Sequence, residues 1–149
     1  MKIKVFLFVV TFALAFGCSH QKTLNPSTNK LEKDNLIRLM ATWVKDKGER
    51  FDMEIQLTNI STNSLLIPMG MFRCGKGDLQ GAITRNTMNS SVAYNLILEQ
   101  GESRIFNFTC TLDRKFDGPF VFKIVKIFEN VNDQKGKELA SELTLSTTR

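Results

Sequence analysis

Residues 50–59, RFDMEIQLTN, set Phe51, Met53, Ile55 and Leu57 at every second position, with Asp52, Glu54, Gln56 and Thr58 between them. A strand turns successive side chains to opposite faces, whereas a helix repeats about every 3.6 residues. This order therefore commits the segment to a strand with one face buried and one in water. The same pattern recurs along the chain. LIRLMATWV aligns Ile37, Leu39, Ala41 and Trp43 on one face, and KDKGER supplies a turn at Gly48, so the first two segments read as a hairpin. SLLIP is a short strand ended by Pro68. VAYNLIL aligns Val92, Tyr94, Leu96 and Leu98, and RIFNFTCTL aligns Phe106, Phe108, Cys110 and Leu112. PFVFKIVKIF and ELASELTLST add two more, the last with Leu139, Ser141, Leu143 and Leu145 in alternation.

Seven or eight short strands, separated by the turns NISTNS, EQGES, RKFDGP and ENVNDQKG, predict an all-β sandwich. Within residues 50–128, LTNISTNSLLI, LILEQGESRIFNF and DGPFVFKI follow the order strand, Asn-x-Ser turn, strand, Leu-x-x-Gly-Glu, strand, Gly-x-Phe, strand. That order resembles bacterial immunoglobulin-like domains. The resemblance implies a single immunoglobulin-like β-sandwich of antiparallel strands over residues 36–149, an architecture that hosts many roles and selects none.

The N-terminal segment bears on location. Lys2 and Lys4 precede an uncharged apolar block at residues 5–17. Its length suits a signal-peptide core of about 7–15 residues and falls short of the roughly 20 that a membrane span needs. Leu14, Ala15, Phe16 and Gly17 run directly into Cys18, a segment that resembles the lipobox of bacterial lipoproteins, with Leu14 one place further from the cysteine than usual. The resemblance implies removal of residues 1–17, a diacylglyceryl thioether on Cys18 and acylation of its new amino terminus. An ordinary signal peptide cut near AFG would instead leave Cys18 a plain thiol. Ser19, where Asp would mark inner-membrane retention in enterobacterial lipoproteins, implies by the same resemblance the outer membrane, facing the periplasm or the cell surface. Two or three acyl chains anchor a protein firmly without spanning. Polar residues 18–35, with Asn25-Pro26 and Ser27-Thr28, read as a flexible tether to the lipid.

With Cys18 lipidated, Cys74 and Cys110 remain, and an oxidising compartment favours their pairing as a disulfide. The 20 basic and 15 acidic residues are interspersed, and two of the basic ones leave with the signal, so the charge gives no nucleic-acid footprint. His20, the only histidine, lies on the tether, which removes histidine-dependent triads and most zinc hydrolases from the folded part. Asp52 and Glu54 share a strand face and read as its solvated side. CGKGD, residues 74–78, lacks the spacing of a phosphate-binding loop. No catalytic residue, metal ligand or cofactor is expected.

Residues 67–91 show little alternation beyond AIT and read as a long loop with one short strand. Met71, Phe72, Arg73 and Lys76 are its candidates for partner contact, because Met and aromatic residues beside Arg suit an adaptable binding surface. Alternatively, Met69, Met71 and Phe72 cap one end of the sandwich. The sequence points to a non-enzymatic lipid-anchored protein that contacts another envelope component. The alternative is a small inhibitor or ligand-binding lipoprotein that acts on an extracytoplasmic hydrolase.

Overall fold

The structure, a computed structural model, describes residues 30–85 and 95–147. The signal segment, Cys18, His20, most of the expected tether, and Val92 and Tyr94 lie outside the described residues. The described chain is almost wholly β. Its strands are β1 (Lys30–Lys33), β2 (Ile37–Asp46), β3 (Arg50–Asn59), β4 (Leu65–Pro68), β5 (Phe72–Lys76), β6 (Leu79–Arg85), β7 (Asn95–Leu98), β8 (Ser103–Thr111), β9 (Phe120–Val131) and β10 (Gln134–Thr147), with one 3-10 turn at Met69–Met71. Every pairing is antiparallel.

Sheet A runs β1-β2-β3-β8-β6. In sheet B, β9 pairs along one edge with β10 and along the other with β4 and β5 placed end to end, while β7 lies outside β4 and β6 outside β5. One strand thus belongs to both sheets: Leu79–Gly81 of β6 pair with β5, and Ala82–Arg85 pair with β8. Gly81 stands at the crossing, where an added Cβ would lie 2.6 Å from the Cys110 sulfur and 2.8 Å from the Thr111 carbonyl oxygen. Cys74 of β5 and Cys110 of β8 form a disulfide beside it, with Cα atoms 6.0 Å apart. Two neighbouring sheets are thereby linked by a strand and by a covalent bond at the same place.

The core follows from the alternation. In β3, Phe51, Met53, Ile55 and Leu57 are wholly buried and the residues between them are not. They face Phe120, Phe122 and Ile124 of β9 and Leu143 and Leu145 of β10 within one apolar cluster. Aromatic rings join the sheets directly, with Phe51 and Phe120 centroids 5.0 Å apart and Phe108 and Phe122 5.3 Å apart. Each such side chain contributes about 1.5–3 kcal/mol by leaving water.

The turns are built by local chemistry. Asn132 and Asp133 both take left-handed backbone between β9 and β10, as a two-residue hairpin of the type I′ class demands. Fully buried Asn59 ends β3: its amide donates to the carbonyls of Asn63 and Leu98, and its Oδ1 accepts from the Ser61 amide and hydroxyl. The Asn59 carbonyl also accepts from Gly101, tying the NISTNS turn to the EQGES turn.

Four expectations change. Ten strands replace seven or eight, because β1 lies within the expected tether and β5 within the expected loop. Residues 67–85 are not a loop: β4 runs to Pro68, the 3-10 turn follows, and β5 and β6 make a hairpin, leaving residues 86–91 outside the described chain. A β-bulge after Ala41 reverses the parity of β2, so Val44 is buried and Trp43 only half-buried. In β10, Glu142 takes left-handed backbone (φ 52°), which leaves Ser141 exposed and buries Ala140, Leu143 and Leu145.

Candidate functional site

The outer face of sheet B carries a hollow of about 400 Å³ over β5, β6, β9 and β10. Its shape has local causes. The hairpin between β5 and β6 turns through Gly77 and Asp78 alone, and Gly77 supplies the positive φ (51°) that a two-residue turn of this kind needs at its first central position. Gly75 and Gly77 bring no side chains to the hollow, while Val121 and Val125 of β9 give it an apolar floor. Across it, β9 and β10 both lose strict alternation: Ile124 and Ile127 face the core, as do Leu143 and Ala140 opposite them. Left-handed Glu142 sits at that irregularity and lines the hollow.

The charges are placed by register. Arg73 and Lys123 are direct cross-strand partners in β5 and β9. Arg73 Nη1 donates to the carbonyls of Gly70 and Phe72, which draws the guanidinium toward the 3-10 turn and, among the described residues, leaves its Nε–Nη2 edge unbonded. Asp78, at the hairpin turn, and Glu142 supply two carboxylates to the same hollow. Among the described residues, Lys123, Asp78 and Glu142 have no ion-pair partner. The site thus presents two cations and two anions beside Val121 and Val125, an arrangement suited to holding a polar ligand.

Of the four residues expected to contact a partner, Arg73 is exposed and lines the hollow, and Met71 is half-buried in the 3-10 turn. The other two are corrected. Phe72 is 5% exposed and points into the core, with its ring 5.6 Å from Phe122 and 6.3 Å from Phe106. Lys76 is 1% exposed: its Nζ donates to Asp46 Oδ1 at 2.7 Å and to the Gly48 carbonyl at 3.3 Å, above the Phe120 ring at 5.1 Å. The cause is strand parity, because β5 turns Phe72, Cys74 and Lys76 inward and Arg73 outward. Lys123, Asp78 and Glu142 were missed by sequence reasoning; the one signal available was that Lys123 interrupts the apolar run PFVFKIV on its outward side.

Asp52 and Glu54 lie on the opposite, outer face of sheet A. Thr42 donates to the Glu54 carboxylate, and Asp52 accepts from Thr109 at 2.7 Å and pairs with Lys47 at 2.5 Å. Burial alone pushes the Asp52 carboxyl up, but the hydrogen bonds from Lys47 and Thr109 and the charges of Lys47 and Arg50 outweigh it and hold the group below its ordinary value.

No protein-family model and no curated protein sequence matches the chain. In structure the chain is similar to the candidate lipoprotein ycdA of Bacillus subtilis, with a TM-score of 0.54 and 12% sequence identity. The likeness covers 80% of this chain and 38% of that one, so this chain spans about two fifths of the neighbour's length, and at that identity what the two share is the fold.

Proposed function

We propose that this chain is a non-enzymatic, lipid-anchored protein of the cell envelope, held to a membrane through Cys18, whose immunoglobulin-like sandwich engages an envelope component through the outer face of sheet B. The observation that carries the reading is the hollow itself: four charged side chains, three on strands and Asp78 at a tight hairpin turn, brought to one face. The lipobox-like LAFGC segment supports the anchor, and the fold shared with a candidate lipoprotein is in keeping with it. The alternative of a hydrolase inhibitor loses Phe72 as its contact, since truncating that residue would open the core rather than test a surface.

Photo-cross-linking in cells tests this reading. A cross-linker replacing exposed Gln80, at the rim of the hollow, is expected to capture a discrete envelope component, and one replacing Gln56 on the outer face of sheet A is not. Cys18→Ala is expected to lose acyl-chain labelling and leave the membrane fraction. Equal capture from both positions, or full membrane retention of Cys18→Ala, would overturn the corresponding half of the proposal.

A further inference from the structure

The hollow on sheet B has a charge arrangement that its own fold does not explain. Like charges directly opposite each other on neighbouring strands are destabilising, yet Arg73 faces Lys123 across β5 and β9. Neither is relieved by Asp78 or Glu142, although both carboxylates line the same space. Arg73 is held back by two carbonyls of the 3-10 turn, so it is oriented in advance, with the Nε–Nη2 edge available for a bidentate contact with a carboxylate. Glu142 occupies left-handed backbone, which a glutamate adopts only at a cost, and such outliers collect where a side chain must be aimed.

Resting on the proposal that this face is the binding surface, we infer that the hollow binds a small zwitterion of amino-acid to dipeptide size. Its free carboxylate meets Arg73 and Lys123, its free ammonium meets Glu142, which lies level with Val125 on the neighbouring strand, and its apolar portion lies over Val125. The charge balance selects this class. Two cations and two anions leave the site with no net formal charge, so an anion such as phosphate leaves the carboxylates unmatched and a simple amine leaves the cations unmatched. A molecule that carries both charges at separated ends satisfies the Arg73–Lys123 pair and Glu142 together, while Asp78 stands at the hairpin end of the hollow. The volume of about 400 Å³ suits a ligand of that size.

The test is calorimetric titration of the full chain, purified in detergent, with alanylalanine, N-acetyl-alanylalanine, alanylalanine amide and inorganic phosphate. Alanylalanine is expected to bind at millimolar concentration or better, and blocking either end is expected to weaken it about tenfold or more, one charge-assisted contact being sufficient for that factor. Arg73→Met and Lys123→Met should weaken alanylalanine to a similar degree. Glu142→Asn should do so as well with an undiminished thermal midpoint, since Asn tolerates left-handed backbone. Binding of the acetylated or amidated peptide as tight as that of alanylalanine, or tighter binding of phosphate, would overturn the inference. So would the absence of any alanylalanine binding up to ~10 mM. If cross-linking from position 80 still captured an envelope component in that last case, the binding surface would stand and the zwitterion alone would fall.

Discussion

A buried lysine shows how a single side chain can be misjudged from sequence. Lys is among the residues least often fully buried, so Lys76 in CGKGD reads as surface, yet its stem lies in the core and its ammonium meets Asp46, the Gly48 carbonyl and the Phe120 ring. The two partners are not equivalent. Asp46→Ala leaves an ammonium in the interior without its counter-charge and is expected to cost about 3 kcal/mol. Lys76→Met keeps most of the packed stem and leaves Asp46 partly in water, with the Gly48 amide still donating to it, and is expected to cost about 1 kcal/mol. Urea unfolding of the two variants measures the difference. Equal losses would show that the ammonium reaches solvent.

At the scale of elements, NISTNS is one of four turns read from the sequence, and the structure shows its physical content in Asn59. All of that side chain's hydrogen-bonding capacity is engaged at a fully buried position. Asn59→Ala removes the amide donor to the Leu98 carbonyl and one of two donors to the Asn63 carbonyl, and frees the Ser61 amide, with an expected cost of about 3 kcal/mol in chemical denaturation. A loss below about 1 kcal/mol would mean that water replaces the side chain. The regular strands were legible because a half-buried strand writes its burial into alternate residues, as β3 and β8 do. Trp43 and Ser141 were assigned to the wrong face because the β2 bulge and left-handed Glu142 are decided by pairing partners rather than by the strand's own residues. β5 was unreadable for a related reason: a glycine and a buried lysine interrupt the apolar alternation of FRCGK, and its strand state comes from β9 and β6 on its two sides. The candidate site was legible only at Arg73, since the juxtaposition with Lys123 and Glu142 exists only in the folded register.

For the molecule as a whole, the disulfide sets the stability. Cys74 and Cys110 are 36 residues apart in sequence, and closing such a loop restricts the unfolded chain by about 4 kcal/mol in the entropic account. A domain of this size is typically stable by about 5–15 kcal/mol, so Cys74→Ala with Cys110→Ala is expected to shift the denaturant midpoint far more than any surface substitution. The same shift should appear when reductant is added to the native protein. If reductant leaves the midpoint unmoved, the pair is not linked in the purified chain.

Because β6 is shared between the sheets and Gly81 lies against the sulfur bridge, the sandwich has no seam. A pull that separated its two layers could not open them like a zip, one hydrogen bond at a time. It would have to draw β6 out lengthwise, shearing both of its ladders together, and would then meet a covalent stop. A domain built in this way is able to carry tension across its two layers without parting into them.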